Sequence, residues 1–203
     1  YMIATSEHPL TAMYMDETIH EDMLPLRMVG VSSCFRREVG SHGQSDLGIW
    51  RVHQFTKIEQ VIIAKPEDSW ALHEELLSNC VDLWNSLDIH YEIVNICTGD
   101  MGTVAAKKYD LEAWIPGADQ YKEIVSCSNC TDYQANRLSI RYGQPGHPNQ
   151  PIAHTLNSTA VATSRALVAI MEQNQLEDGR VRIPEVLQPF MGGQTILEPC
   201  TWG

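Results

Sequence analysis

Two short stretches bring together the side chains that nucleotide chemistry requires. Phe35-Arg36-Arg37-Glu38 comes first, followed by a glycine-punctuated loop and then Arg51-Val52-His53-Gln54-Phe55-Thr56-Lys57-Ile58-Glu59. Guanidinium groups suit phosphate charge, an aromatic ring suits a purine face, and a carboxylate accepts from an amine. The pattern reads as two strands joined by a long loop. Alternate side chains of a strand share a face, so Arg36 and Glu38 are expected to point one way, and Arg51, His53, Phe55, Lys57 and Glu59 to share a face of the partner strand. Taken alone, this alternation is better explained by a solvated polar face with one stray Phe; an ATP site is the alternative that the residue types raise.

The elements that must position these residues can be read only in outline. A chain of 203 residues with 43% hydrophobic and 20% charged residues has the composition of an ordinary globular domain. Acidic residues in Pro66-Glu67-Asp68 mark a helix start, and Leu72, Leu76, Cys80, Leu83, Trp84 and Leu87 recur at helical spacing. Ile93 to Cys97 reads as a buried strand closed by Thr98-Gly99-Asp100, and 141–150 as a Gly/Pro-rich loop. A second helix is expected with Ser158 or Thr159 as its cap, with Val161, Leu167, Val168 and Met171 facing the core, and with a turn at Asp178-Gly179. Tyr1 to Glu7 reads as a strand running into a loop, so the chain is expected to begin inside a larger protein.

Charge narrows the choice of partners. A formal net charge of −12 argues against a broad electrostatic grip on nucleic acid, so any such contact must be local. No run is apolar enough to span a bilayer and no secretory leader is visible, which points to the cytoplasm. The six cysteines read as free thiols. Cys127 and Cys130 form a lone CxxC without the second pair that a structural zinc usually needs.

Phe35-Arg36-Arg37-Glu38, Gly40-Ser41-His42-Gly43 and Arg51-Val52-His53-Gln54-Phe55 together closely resemble motif 2 of the seryl branch of the class II aminoacyl-tRNA synthetases. Thr5-Ser6-Glu7 resembles the TxE loop of that family, and Glu123 to Cys130 its metal and ATP segment. Leu156-Asn157-Ser158-Thr159 through Arg165 resembles motif 3, and the tail from Arg182 to Gly193 is also similar. The resemblance covers essentially the whole chain in the family's order. It implies an α+β fold, an antiparallel sheet flanked by helices; the residue pattern alone implies only α+β. The implied reaction is the activation of serine by ATP, followed by transfer to tRNA(Ser) and, in some settings, tRNA(Sec).

The resemblance also implies roles for single residues. Arg36 would hold the α-phosphate and the charge developing on it, with Arg165 as the second catalytic arginine, over the purine and the terminal phosphate. Glu38, Arg51 and Phe55 would complete the ATP site. Glu123 and Ser126 would bind both ATP and Mg²⁺, an oxygen-preferring cation. Those two stand three apart, so a regular strand would send them to opposite faces and a bulge or strand end is expected. Thr5, Glu7, Glu59, Asn157 and Thr159 would bind serine; His53 and Cys130 carry no role.

Some features depart from the family. Motif 1, which builds the homodimer in this family, and the helical arm that grips tRNA are absent from these residues, leaving a partial catalytic domain over 1–203. Gln44-Ser45-Asp46-Leu47 replaces a usually basic loop, and Asn136 a usual arginine, leaving Arg137. Two rivals remain: a ligase that delivers amino acids to a carrier protein, and a non-catalytic paralogue. The intact Thr5, Glu7, Glu59 and Asn157 set speaks against the first, and the presence of Arg36, Glu123 and Arg165 against the second.

Overall fold

The computed structural model describes residues 2–38, 48–144 and 146–200. In chain order the elements are α1 (Glu7–Ala12), β1 (Thr18–Ile19), β2 (Leu26–Phe35), β3 (Gln54–Ala64), α2 (Ser69–Ser86), β4 (Tyr91–Asn95), β5 (Lys107–Ile115) and β6 (Gln120–Asn129). They continue with α3 (Tyr133–Leu138), β7 (Arg141–Tyr142), β8 (His154–Ala162), α4 (Thr163–Gln173), β9 (Val181–Arg182) and β10 (Ile196–Leu197). The main sheet has the order β2-β3-β8-β6-β5-β4, and every pairing in it is antiparallel. This is the α+β architecture that the family resemblance implies.

One face of the sheet is apolar because α2 covers it. Leu72, Leu76, Cys80 and Trp84, at helical spacing, pack on Ile62, Leu111, Val125, Cys127 and Leu156 of the strands. The opposite face carries the polar partners of those alternations: Lys57 and Glu59 on β3, Asn157 and Thr159 on β8, Asp110 on β5 and Ser126 on β6. Alternation is interrupted twice. On β8, Ile58 opposes Val161 while Glu59 opposes Thr159, so Ala160 is an extra residue. On β6, Leu111 opposes Val125 while Glu112 opposes Glu123, so Ile124 is extra. The second interruption is one of the two irregularities, a bulge or a strand end, expected from the Glu123–Ser126 spacing. Both bulges are braced from the α2 side by packed apolar residues, and the Trp84 indole donates to the Ala160 carbonyl at 3.1 Å.

The β6–β8 pairing covers only Cys127↔Ser158 to Asn129↔Leu156. Beyond it the two strands part, and Arg165 spans the gap by donating to the Glu123 carbonyl at 2.7 Å. At the other edge, Gly30 of β2 lies directly under the 5–6 segment. A Cβ there would stand 2.5 Å from Ser6 Oγ, so only glycine lets this segment lie flush on the strand.

Five expectations need correction. Thr5-Ser6-Glu7 leads into α1 rather than following a strand, with Glu7 as its first residue. The strand expected at 93–97 is β4, over Tyr91–Asn95, and as the sheet edge it leaves Ile93 exposed. Ser158 and Thr159 do not cap a helix: they lie within β8, and α4 begins at Thr163. Pairing on both sides of β8 outweighs their local capping tendency. Leu167 and Met171 are exposed on α4, whose buried positions are Ala166 and Ala169. Within 141–150, Arg141–Tyr142 forms β7, which pairs in parallel with β1. The turn at 178–179 is present, with Gly179 at φ +85°.

Replacing Trp84, which is fully buried, with Phe keeps most of its packing but leaves the Ala160 carbonyl without its donor. Chemical denaturation of Trp84→Phe should show a loss of about 1–3 kcal/mol, the usual cost of one unsatisfied buried group. Unchanged stability would show that the bulge needs no such brace.

Candidate active site

The end of β2 and the start of β3 frame a cleft. Arg36 lies just past β2, where its N–H donates to the His53 carbonyl, and its guanidinium stands 5.2 Å from the centre of the Phe55 ring. Glu38 adopts a left-handed backbone conformation, φ +51°, so simple strand alternation does not aim it. Arg51 and His53 likewise precede β3. Glu38 and Arg51 nevertheless meet: Arg51 Nη1 donates to Glu38 Oε2 at 2.7 Å, and both are partly buried. His53 and Arg37 are exposed and do not line the cleft.

Arg165, near the start of α4, closes the opposite side. Besides the Glu123 carbonyl it bonds Glu123 Oε1 at 3.1 Å, and its guanidinium stands 5.3 Å from the Trp50 ring centre. The cleft thus joins Arg36, Glu38, Arg51, Phe55, Glu123, Thr159 and Arg165, with Trp50 and Lys57 among its walls. Its free space is about 50 Å³, room for little more than water. A nucleotide base entering here would take the place of Arg36 on the Phe55 ring.

A second depression, of about 360 Å³, is lined by Glu7, Lys108, Ser126, Cys130, Gln134 and Asn157, among others. Asn157 Nδ2 donates to Glu7 Oε1 at 3.1 Å, and the buried Thr5 hydroxyl accepts from the Glu7 N–H at 3.2 Å. Glu59 lines neither space. It is buried beneath them, with Lys57 Nζ at 2.5 Å and the Thr159 hydroxyl donating at 3.2 Å. Burial pushes its carboxyl up from the usual range, against the pull of Lys57, and the Glu7 charge pushes it further. Glu123 and Ser126 border different spaces, but Asp110 links them: it accepts from Ser126, and its carboxyl feels the Glu123 charge.

The residues that sequence reasoning missed are instructive. Trp50 immediately precedes the Arg51–Glu59 stretch and walls the cleft, yet nothing in the spacing marks it, whereas Lys57, expected on the face of Phe55, does line the cleft with it. Gln134 and Asp110 meet the site only through packing of α3 and β5. The two CxxC thiols diverge: Cys127 packs under α2, whereas Cys130 accepts from Asn157 at 3.4 Å and is pushed by burial up to about 12. The loop containing Gln44-Ser45-Asp46-Leu47 lies outside the described residues. Asn136 donates to Asp132 on α3 at 2.5 Å.

An antiparallel sheet whose polar face carries an aromatic and carboxylates, with arginines closing over it from the strand ends and α4, is the design of a class II synthetase core, and the chain belongs to that family: residues 1–174 match the tRNA synthetase class II core domain (G, H, P, S and T). Within it, the chain is 58% identical over 198 residues to the serine–tRNA ligase of Methanospirillum hungatei, covering 97% of this chain and 47% of that protein. The crystal structure of seryl-tRNA synthetase from Pyrococcus horikoshii complexed with ATP superposes with a TM-score of 0.94 at 52% identity, covering 98% of this chain and 44% of that one. Cytoplasmic serine–tRNA ligase from Naegleria fowleri in complex with AMP gives 0.92 at 49%, over 97% and 46%. The chain spans about half the length of the curated relatives it matches.

Asp110 offers a test of the site's electrostatics. It is buried, and its Oδ1 has no hydrogen-bond partner among the described residues. Burial first, and then the Glu123 charge, hold its carboxyl above the usual range. A carboxyl raised on folding binds protons more tightly folded than unfolded, so it lowers stability as pH rises through the ordinary carboxylate range, fully so above its folded value. Asp110→Asn should therefore gain stability over the parent at neutral pH and lose that advantage in acid. Urea denaturation across that range measures it; a pH-independent difference would contradict the assignment.

Proposed function

We propose that this chain carries the amino-acid activating site of a serine–tRNA ligase. One observation carries the reading: the arginine-lined aromatic cleft shares a sheet face with a second depression in which the carboxylate of Glu7 and the amide oxygen of Asn157 offer acceptors to a hydroxyl. The identities to serine–tRNA ligases support it, as do the ATP and AMP complexes of the similar structures.

In this reading the purine lies on Phe55 and its amine donates to Glu38, which Arg51 holds in place. Arg165 covers the other side of the base and reaches the terminal phosphates. A carboxylate oxygen of serine attacks the α-phosphorus, the bond to the β-phosphate oxygen breaks, and pyrophosphate leaves. Arg36 stabilises the charge spreading over the α-phosphate oxygens. Serine binds with its hydroxyl toward Glu7 and Asn157, while Thr5, Glu59 and Thr159 sustain the negative environment of its ammonium group. A terminal ribose hydroxyl of tRNA(Ser) then attacks the seryl carbonyl and AMP leaves. No side chain serves as nucleophile, so the acceleration comes from positioning and charge.

Magnesium fits the oxygen donors present. Among the described residues no three His, Cys, Asp or Glu side chains converge on a metal-sized space. The protein would therefore supply only Glu123 and Ser126, brought to one face by the β6 bulge, and the ATP phosphates and water would complete the shell, as this cation prefers. Bound there, it would neutralise phosphate charge. The dimer-forming motif 1 and the tRNA-gripping arm belong, in this proposal, outside the 203 residues, as do dimerisation and most of the affinity for tRNA; the enzyme acts in the cytoplasm.

ATP–pyrophosphate exchange tests the proposal. Serine should support exchange better than alanine by on the order of 10⁴-fold in kcat/KM, because alanine leaves the hydroxyl partners unpaired. Equal rates would refute it. Arg36→Ala should slow exchange by roughly 10²- to 10³-fold, whereas Arg37→Ala, at an exposed residue outside the cleft, should stay near the parent. A reversed order would move the phosphate contact to Arg37.

A further inference from the structure

Glu7 sits at the first position of α1, a six-residue helix, and among the described residues its side chain has no backbone partner that would aim it. Two amides converge on a single oxygen instead. Gln134 Nε2 donates to Glu7 Oε1 at 2.6 Å and Asn157 Nδ2 donates to the same atom at 3.1 Å. Among the described residues Oε2 accepts no hydrogen bond. The Gln134 amide is itself fixed at its other end, where the fully buried Thr155 hydroxyl donates to its Oε1 at 2.6 Å. An ionised carboxylate can only accept, so the nitrogen of Gln134 must face Glu7 and its oxygen must face Thr155.

We propose that Gln134, through this Thr155–Gln134–Glu7 relay, is a positioning residue that sets the specificity of the pocket for a hydroxyl-bearing amino acid. Holding Oε1 from α3 and β8 leaves Oε2 as the open acceptor of a carboxylate that lines the depression shared with Ser126, Cys130 and Asn157. Such an acceptor receives a serine hydroxyl without first losing its own rotational freedom, whereas the methyl of alanine gains nothing from it. The effect is on recognition alone: Gln134 does not line the cleft that contains Arg36 and Phe55. The inference rests on the serine reading above.

The test is calorimetric titration of the full chain with non-hydrolysable sulfamoyl-adenosine analogues carrying a seryl or an alanyl group. The parent should prefer the seryl analogue. In Gln134→Ala that analogue should bind about 10- to 100-fold more weakly, the range of one hydrogen bond to a charged group, while the alanyl analogue binds as before. Gln134→Glu supplies a second reading, since two facing carboxylates can keep the contact only by sharing a proton. Its preference for the seryl analogue should recover as pH is lowered, in contrast to that of Gln134→Ala. Equal loss for both analogues, or an unchanged ratio in both variants, would overturn the relay. A parent that does not discriminate would overturn the serine reading and the relay with it.

Discussion

The site depends on two extra residues in the sheet. A strand sends alternate side chains to opposite faces, so residues three apart are normally separated by the sheet itself. Ala160 and Ile124 break that rule on the two strands that border the cleft. The first brings Ala162 and the start of α4 to the same side as Thr159, and with them Arg165. The second does the same for Glu123 and Ser126. Both bulges lie where β6 and β8 part, so the gap between the strands and the turning of their side chains into it have one cause. The dense packing of α2 on the other face leaves the bulges little freedom to slide.

The electrostatics follow from this geometry rather than from composition. The chain is strongly acidic, yet Arg36, Arg51, Lys57 and Arg165 meet in one cleft. Each described cation there has a carboxylate or an aromatic ring close by: Glu38 for Arg51, Glu59 for Lys57, Glu123 and Trp50 for Arg165, Phe55 for Arg36. A polyanion bound in the cleft, as proposed, would exchange partners with these groups rather than meet bare charge. Such pre-oriented groups need little rearrangement at the moment of reaction.

Much of this was legible in the sequence, for reasons that can be named. Leu72, Leu76, Cys80 and Trp84 announce α2 because one helical face must be apolar. The three-residue separation of Glu123 and Ser126, if both serve one site, announces a bulge or a strand end, and β6 has the bulge. The β8 bulge was not legible, since Ala160 resembles any strand residue and its brace comes from Trp84, distant in sequence. The local chemistry of Ser158 and Thr159 pointed to a helix cap, and only pairing with β3 and β6 decides otherwise. Gln134 was invisible for a similar reason: its partners, Glu7 and Thr155, lie on other elements, and no spacing rule connects the three.

In the proposed arrangement, one side of the sheet seats the base on Phe55, the phosphate on Arg36 and the amino-acid hydroxyl on Glu7. A crystal structure of the chain bound to the seryl sulfamoyl-adenosine analogue tests all three contacts at once. The adenine is expected between Phe55 and Arg165, the sulfamoyl group on Arg36, and the seryl hydroxyl within hydrogen-bond distance of Glu7 and Asn157. An analogue seated elsewhere, or one whose hydroxyl is turned away from Glu7, would contradict the account.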